Sequence, residues 1–340
     1  GLDLAVGPQA RHALSDLLQR WQPTARAFTA NRLGWADEAC SAFICGDGRV
    51  IGADDVVYQS DNAPAAAAEM KAAGTLEGWR ETVAALCEGN SLMVMSLSLA
   101  FAGTLLEPLG MDGGGLHLRG ASSRGKSTVQ RVAVSVWGSP RFLHSWRATA
   151  NGLEGVAAAC NASLLALDEI GEVSGREAGA AAYMLANGAG KARANHCGTA
   201  RPSLRWRVAV LSSGEITLAD KMAEAGSKSA AGQAVRLLDV VADDRAHGAF
   251  DSLHGAADAA AFADRLREET AKNYGTAGPA FVQAFLDKRE AATATVREAI
   301  KGFRETAAQR FELSGEGQTE RAAARLGLVA AAGELATKFG

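Results

Sequence analysis

The residues Gly120-Ala121-Ser122-Ser123-Arg124-Gly125-Lys126-Ser127-Thr128 carry the pattern G-x-x-x-x-G-K-[ST] at every fixed position. The chemistry of this spacing is phosphate binding. Glycines let consecutive backbone N–H groups curl around anionic oxygens. A helix starting at the end of the loop points its positive dipole end at the same charge. Lys126 would reach the β- and γ-phosphates, and Ser127 would ligate Mg²⁺. A short strand candidate at 116–119 precedes the loop, and no helix breaker follows until Gly138. A chance Gly-Lys-Ser loop would lack this strand–loop–helix setting. The residues 120–128 therefore predict a site for ATP with Mg²⁺. Lys126→Ala is expected to abolish nucleotide binding without unfolding the chain, on the reading that the lysine faces solvent.

A second apolar run, 163–167, ends in Asp168-Glu169. A buried strand delivers carboxylates to the carboxyl edge of a sheet, where ligands bind. Asp168 would hold Mg²⁺, and Glu169 would orient and polarise the attacking water. An aspartate after a strand also starts helices as a cap. Its position behind a phosphate loop favours the metal role. The adjacent glutamate distinguishes a hydrolysing motor from a kinase-like enzyme, which has no fixed need for it.

The run 206–211 is another buried strand and ends at Ser212-Ser213-Gly214-Glu215. A polar residue there, between the phosphate-loop strand and the acidic-pair strand, can sense the γ-phosphate or the water. Either Ser212 or Ser213 could do this; ordinary turn residues are the alternative. Arg236 opens the strand 235–241 and is a candidate arginine finger for a neighbouring subunit's nucleotide. From the residues alone, a surface arginine in a local ion pair is the plainer reading.

No Asp or Glu occurs from Asn187 to Leu211, whereas Lys191, Arg193, Arg201, Arg205, Arg207 and His196 all lie there. A basic β-hairpin turning at 195–199 would project from the sheet. Lys191, Arg193, His196 and Arg201 are its candidate DNA contacts, made to phosphates without regard to sequence. A solvated loop or a subunit contact remains the other reading.

These groups need a scaffold, and strands alternating with helices at 126–137, 153–160 and 177–187 imply a mainly parallel sheet covered by helices. The predicted class is α/β. Residues 1–74 form a small N-terminal α+β module, with a hairpin turn at Gly46-Asp47-Gly48. Residues 75–245 form the nucleotide-binding core, and 246–340 are helical, with segments at 258–273, 279–310 and 318–339. At 340 residues the chain is long for one compact domain, and its net charge of −3 confines any nucleic-acid contact to a local patch. Five cysteines, an odd number without a C-x-x-C pair, argue against a zinc site or disulfide framework and fit a reducing cytoplasm. No run reaches the roughly 18 apolar residues of a membrane span. The most apolar stretch, 91–106, reads as a buried helix, and no secretion signal pattern opens the chain.

The run 114–128 resembles the phosphate loop of phage, plasmid and island proteins grouped as domain of unknown function 927. Further blocks agree: AVSVWG at 133–138, NGLEG at 151–155, LALDEIGE at 165–172, YMLANGAGKAR at 183–193, SSGEITLA at 212–219 and GQAVR at 232–236. The resemblance runs from about Arg26 to Gly340. It implies an AAA+ P-loop NTPase core related to superfamily 3 helicases of mobile elements. It moves Arg236 toward the arginine-finger role and Ser213 toward the sensor, and makes Lys191 and Arg193 functional candidates. It also implies a hexameric ring, single-stranded or forked DNA as partner, and a primase elsewhere in the protein or in a companion. Arg124 departs from the family, where a small residue such as Thr is usual; loop packing or nucleotide affinity would change. The expected activity is Mg²⁺-dependent ATP hydrolysis driving DNA translocation or unwinding. The rivals are a loader or remodelling ATPase that does not unwind, and an ATP-gated binding or assembly module that does not hydrolyse.

Overall fold

The computed structural model describes residues 7–21, 26–60, 65–191, 193–194, 200–201, 203–226, 236–311 and 317–340. Helix α1 (Pro8–Arg20) precedes strands β1 (Phe28–Ala30), β2 (Gly34–Trp35), β3 (Phe43–Ile44), β4 (Val50–Ile51) and β5 (Val56–Tyr58). Strands β2, β3 and β4 form an antiparallel sheet, while β1 and β5 pair in parallel. The expected turn at 46–48 joins β3 to β4. Cys45 and Arg49 pair across it, and Gly48 adopts the left-handed φ of +82° that the turn requires.

Helix α2 (Leu76–Trp79) leads through a π-helical turn and a 3₁₀ turn to α3 (Ser91–Leu109), which is apolar on nearly every face and mostly buried. It is the core helix expected near 91–106, and it stops where Gly110 takes a left-handed φ of +67°. Then follow β6 (Gly114–Arg119), α4 (Lys126–Val134), β7 (His144–Ser145), α5 (Ala150–Ala159), β8 (Leu164–Asp168) and α6 (Gly175–Asn187). The short strands β9 (Arg193–Ala194) and β10 (Ala200–Arg201) come next, then β11 (Ala209–Gly214), α7 (Leu218–Ala223) and β12 (Leu237–Val241). Four helices close the described chain: α8 (Ala259–Lys272), α9 (Ala277–Asp287), α10 (Arg289–Phe311) and α11 (Gly317–Lys338).

The central sheet is parallel, in the order β12-β6-β11-β8-β7. Thus β11 does lie between the strand that feeds the glycine loop and the strand that ends in the acidic pair. Strand β11 begins three residues later than the 206–211 run suggests. Before it, Arg207 N–H binds the Asn161 side chain, and Trp206 N–H binds Gly188 O. The strand then continues through Ser212 and Ser213, which are buried polar residues with paired hydroxyls. The helix expected over 279–310 is two helices, broken at Lys288, where φ and ψ of −132° and 26° are not helical. Strand β7 is only two residues long and follows a 3₁₀ turn at Pro140–Phe142.

One hydrophobic core unites the three stretches of chain. Trp35 meets Phe43 edge-on at 5.1 Å and Phe285 of α9 at 5.9 Å, and Phe43 stacks on Trp137 at 5.8 Å. The Trp35 indole donates to Thr104 O in α3 at 2.8 Å. Helix α11 packs along α3, so the C-terminal helices reach the same core as the sheet.

Candidate nucleotide site

Strand β6 runs buried to Leu118 and releases the chain at Gly120, whose N–H donates to Gly214 O of β11 at 3.1 Å. The loop ends at Gly125, with φ of +99°, and α4 begins at Lys126. Both glycines have local reasons. A Cβ on Gly120 would lie 2.8 Å from the Asp243 carboxyl carbon, and one on Gly125 would lie 2.9 Å from the Phe250 ring. Ser123 takes a left-handed φ of +58°, a strained choice for a residue with a side chain. Outside the loop, Ala249 N–H donates to Arg124 O at 2.8 Å, so the segment after β12 supports it. The exposed Arg124 side chain has no structural account here beyond its proximity to Asp243.

Lys126 does not face solvent, contrary to the sequence reading. It is 7% exposed, and its Nζ donates to Gly120 O and Ala121 O, each at 2.7 Å. The ammonium lies inside the loop it is expected to serve, because two loop carbonyls turn inward to accept it.

Beside it, Ser127 Oγ donates to Asp168 Oδ1 at 3.2 Å. Ser213 Oγ donates to the same carboxylate oxygen at 2.5 Å and accepts the Glu169 N–H at 3.2 Å. Ser127, Asp168, Ser213 and the Glu169 backbone therefore converge, from the ends of three elements. Of the two candidate serines, Ser213 meets the acidic pair. Ser212 faces away and bonds to His117 and Trp146. The Ser127 hydroxyl and Asp168 carboxylate supply hard oxygen donors at one point, the kind of donor Mg²⁺ takes alongside phosphate and water. Glu169 has a left-handed φ of +57°, and its carboxylate accepts the Gly171 N–H at 3.0 Å. Its side chain thus caps its own turn.

Arg236 lies at the other end of the sheet. Its carbonyl accepts the Gly115 N–H at 2.8 Å, at the start of β6, roughly 16 Å of strand from the loop. The guanidinium covers the Tyr183 ring at 4.5 Å and donates to Asn187 Oδ1 at 3.0 Å. It is remote from its own chain's loop. Arg325 of α11 donates to Arg236 O at 2.9 Å and Gly113 O at 2.8 Å, and burial pulls its pKa down to about 10.

Of the basic stretch, β9 and β10 pair antiparallel, with Arg193 opposite Arg201. The root is closed by Gly190 N–H on Leu204 O, and by Lys191 N–H on the buried Glu154 carboxylate at 3.3 Å. The Lys191 side chain is exposed. His196 lies outside the described residues.

Three contributors escaped the sequence reading. Asp243, just after β12, accepts the Ala121 N–H at 2.8 Å; that bond, with Lys126 and Arg124 nearby, holds its carboxyl below the usual carboxylate range. Gln130 of α4 is fully buried and donates to Leu167 O and Leu211 O, joining β8 to β11 just before Asp168 and Ser213. His117 binds Ser212 and Ile216 O. For Gln130 and His117 the available signal was a lone polar residue on an otherwise apolar helix face or buried strand.

A family model described as domain of unknown function (DUF927) matches residues 2–205. No curated protein matches the chain. Among solved structures, "SCCmec type IV Cch - active helicase" is similar, with a TM-score of 0.73 at 17% sequence identity. The match covers 98% of this chain and 60% of that one, so this chain spans about 60% of that helicase's length. At that identity the likeness is one of fold. The family model, which covers more than half of the chain, makes this protein a member of the DUF927 family.

Proposed function

We propose that this chain is the ATPase motor of a ring-shaped helicase of a mobile element. It would use Mg²⁺-dependent ATP hydrolysis to move along or unwind DNA. The observation that carries the reading is the meeting of Ser127, Asp168 and Ser213 beside a loop that already encloses Lys126. That arrangement suits in-line attack of water on a γ-phosphate. The chemistry Mg²⁺ would supply there is neutralisation of charge developing on the phosphates. Ser127 and Asp168 would hold it, and the loop N–H groups from Gly120 to Thr128 would cradle the phosphates. Lys126 would exchange its two carbonyl partners for phosphate oxygens. Glu169 would leave the Gly171 N–H and accept the proton of the attacking water. Ser213 would keep Asp168 oriented.

Arg236, remote from its own loop, fits a finger acting on a neighbouring subunit in a hexamer. Arg193 and Arg201, opposite each other in the β9–β10 pair, would contact DNA phosphates together with Lys191 and His196. The fold shared with an active helicase supports the motor reading. A primase would lie elsewhere in the protein or in a partner. Residues 75–245 would form the AAA+ core, with 1–74 and 246–340 as flanking modules.

The test is hydrolysis and strand displacement on a forked duplex, by the parent chain and by Glu169→Gln. Hydrolysis that Glu169→Gln abolishes, together with displaced strand, is the expected result. DNA-stimulated hydrolysis without displacement makes the chain a loader. Negligible hydrolysis, unchanged by the substitution, makes it an assembly module.

A further inference from the structure

His117 is fully buried in β6, level with Ser212 of β11. Its Nε2 lies 2.9 Å from Ile216 O and its Nδ1 lies 2.8 Å from Ser212 Oγ. A carbonyl only accepts, so the ring proton is on Nε2 and Nδ1 is an acceptor. Ser212 must then donate its hydroxyl proton to Nδ1. Its oxygen in turn accepts the Trp146 indole N–H at 2.9 Å. One tautomer and one hydroxyl rotamer satisfy the whole chain of bonds.

This chain of bonds brackets the candidate sensor. Ser212 precedes Ser213, and Ile216 follows it by three residues. Between them Gly214 packs so closely that a Cβ there would lie 3.2 Å from His117 Cε1 and 2.5 Å from Ile170. Trp146 also donates its backbone N–H to Asp168 O at 3.1 Å. The imidazole thus fixes 212–216 from both sides, while the tryptophan ties the same serine to the strand that ends in Asp168.

We propose that His117 is a positioning residue for the hydrolytic site: it holds Ser213 on Asp168 and on the Glu169 N–H. This rests on the ATPase reading above. Burial, with Lys126 and Arg119 adding to it, lowers the His117 pKa to about 4, so the ring stays the neutral acceptor Ser212 needs.

Two amide substitutions separate the two arms. Asn at 117 sets an amide near the Nδ1 position and keeps an acceptor for Ser212. Gln sets its amide nearer Nε2, keeps the donor to Ile216 O, and leaves Ser212 without its partner. Steady-state ATP hydrolysis, affinity for a fluorescent ATP analogue and melting temperature are measured for the parent, His117→Asn and His117→Gln. His117→Gln is expected to lose roughly 10- to 100-fold in kcat, the scale of a small misplacement of reacting groups, with analogue affinity within about twofold. His117→Asn is expected to recover most of that loss, although both variants melt below the parent. Equal loss of kcat in both variants, tracking their melting temperatures, overturns the proposal and leaves a histidine that only fills the core. So does parental kcat in His117→Gln. A parent chain without hydrolysis overturns the ATPase reading itself, and this proposal with it.

Discussion

The Asp243 carboxylate accepts the Ala121 N–H at 2.8 Å, from just beyond β12, the strand next to the one that delivers the glycine loop. The contact orders the loop but sets a negative charge beside the proposed phosphate site. Removing only the charge and removing the bond should therefore act in opposite directions. Asp243→Asn keeps an acceptor and should bind nucleotide a few-fold more tightly. Asp243→Ala frees the loop and should bind about tenfold more weakly, as expected for loss of a charged hydrogen bond. Titration calorimetry with a non-hydrolysable ATP analogue checks both signs; a shift in the same direction refutes the account.

Lys126→Ala should eliminate detectable nucleotide binding and also lower stability. The substitution strips two inward carbonyls, Gly120 O and Ala121 O, of their donor. The cost should be on the order of 1–3 kcal/mol. Denaturant unfolding reads the stability change; an unchanged midpoint would mean that water replaces the ammonium without loss.

Neighbouring serines should separate by phenotype. Ser213→Ala removes a partner that orients Asp168, and hydrolysis should fall roughly 10- to 100-fold with little change in melting temperature. Ser212→Ala leaves the Trp146 indole and His117 Nδ1 unpaired in the core. It should slow hydrolysis as His117→Gln does and, unlike Ser213→Ala, also destabilise the fold, by about 1–3 kcal/mol. Kinetics and calorimetric melting on the two variants give the comparison; identical profiles would refute it.

Acid should weaken the fold through His117. Its folded pKa is pulled down by burial to about 4, from the ordinary imidazole value near 6.5. Above the unfolded value both states are neutral and the contribution is fully present. As pH falls from about 6.5 toward 4, the unfolded chain takes the proton first and stability drops. The total loss is on the order of 3 kcal/mol. His144, also lowered by burial, adds in the same direction. Urea unfolding between pH 7.5 and 5 measures the slope, which His117→Asn should flatten. A slope that survives the substitution would point to other groups.

Much of the site was legible because it is contiguous. Gly120 to Thr128 and Asp168-Glu169 are short patterns whose geometry follows from a strand, a turn and a helix start. The sheet strands were also legible, since apolar runs between turn residues mark them wherever they are buried. Polar residues obscured the rest. Ser212 and Ser213 read as the end of a strand, yet β11 continues through Gly214, because its hydroxyls are satisfied by groups about 45 to 95 residues away in sequence. Such partners leave no local periodicity.

By itself, the sequence determined the loop, the acidic pair and the alternation of strands and helices, because backbone conformation and hydrophobic period act over a few residues. Only the tertiary structure decided that Ser213 and not Ser212 meets Asp168, that Lys126 is enclosed, that Asp243 latches the loop, and that Arg236 lies at the far end of the sheet. Those facts depend on which strands lie side by side and in what register. Register is fixed by burial of the whole core, and no single segment carries it.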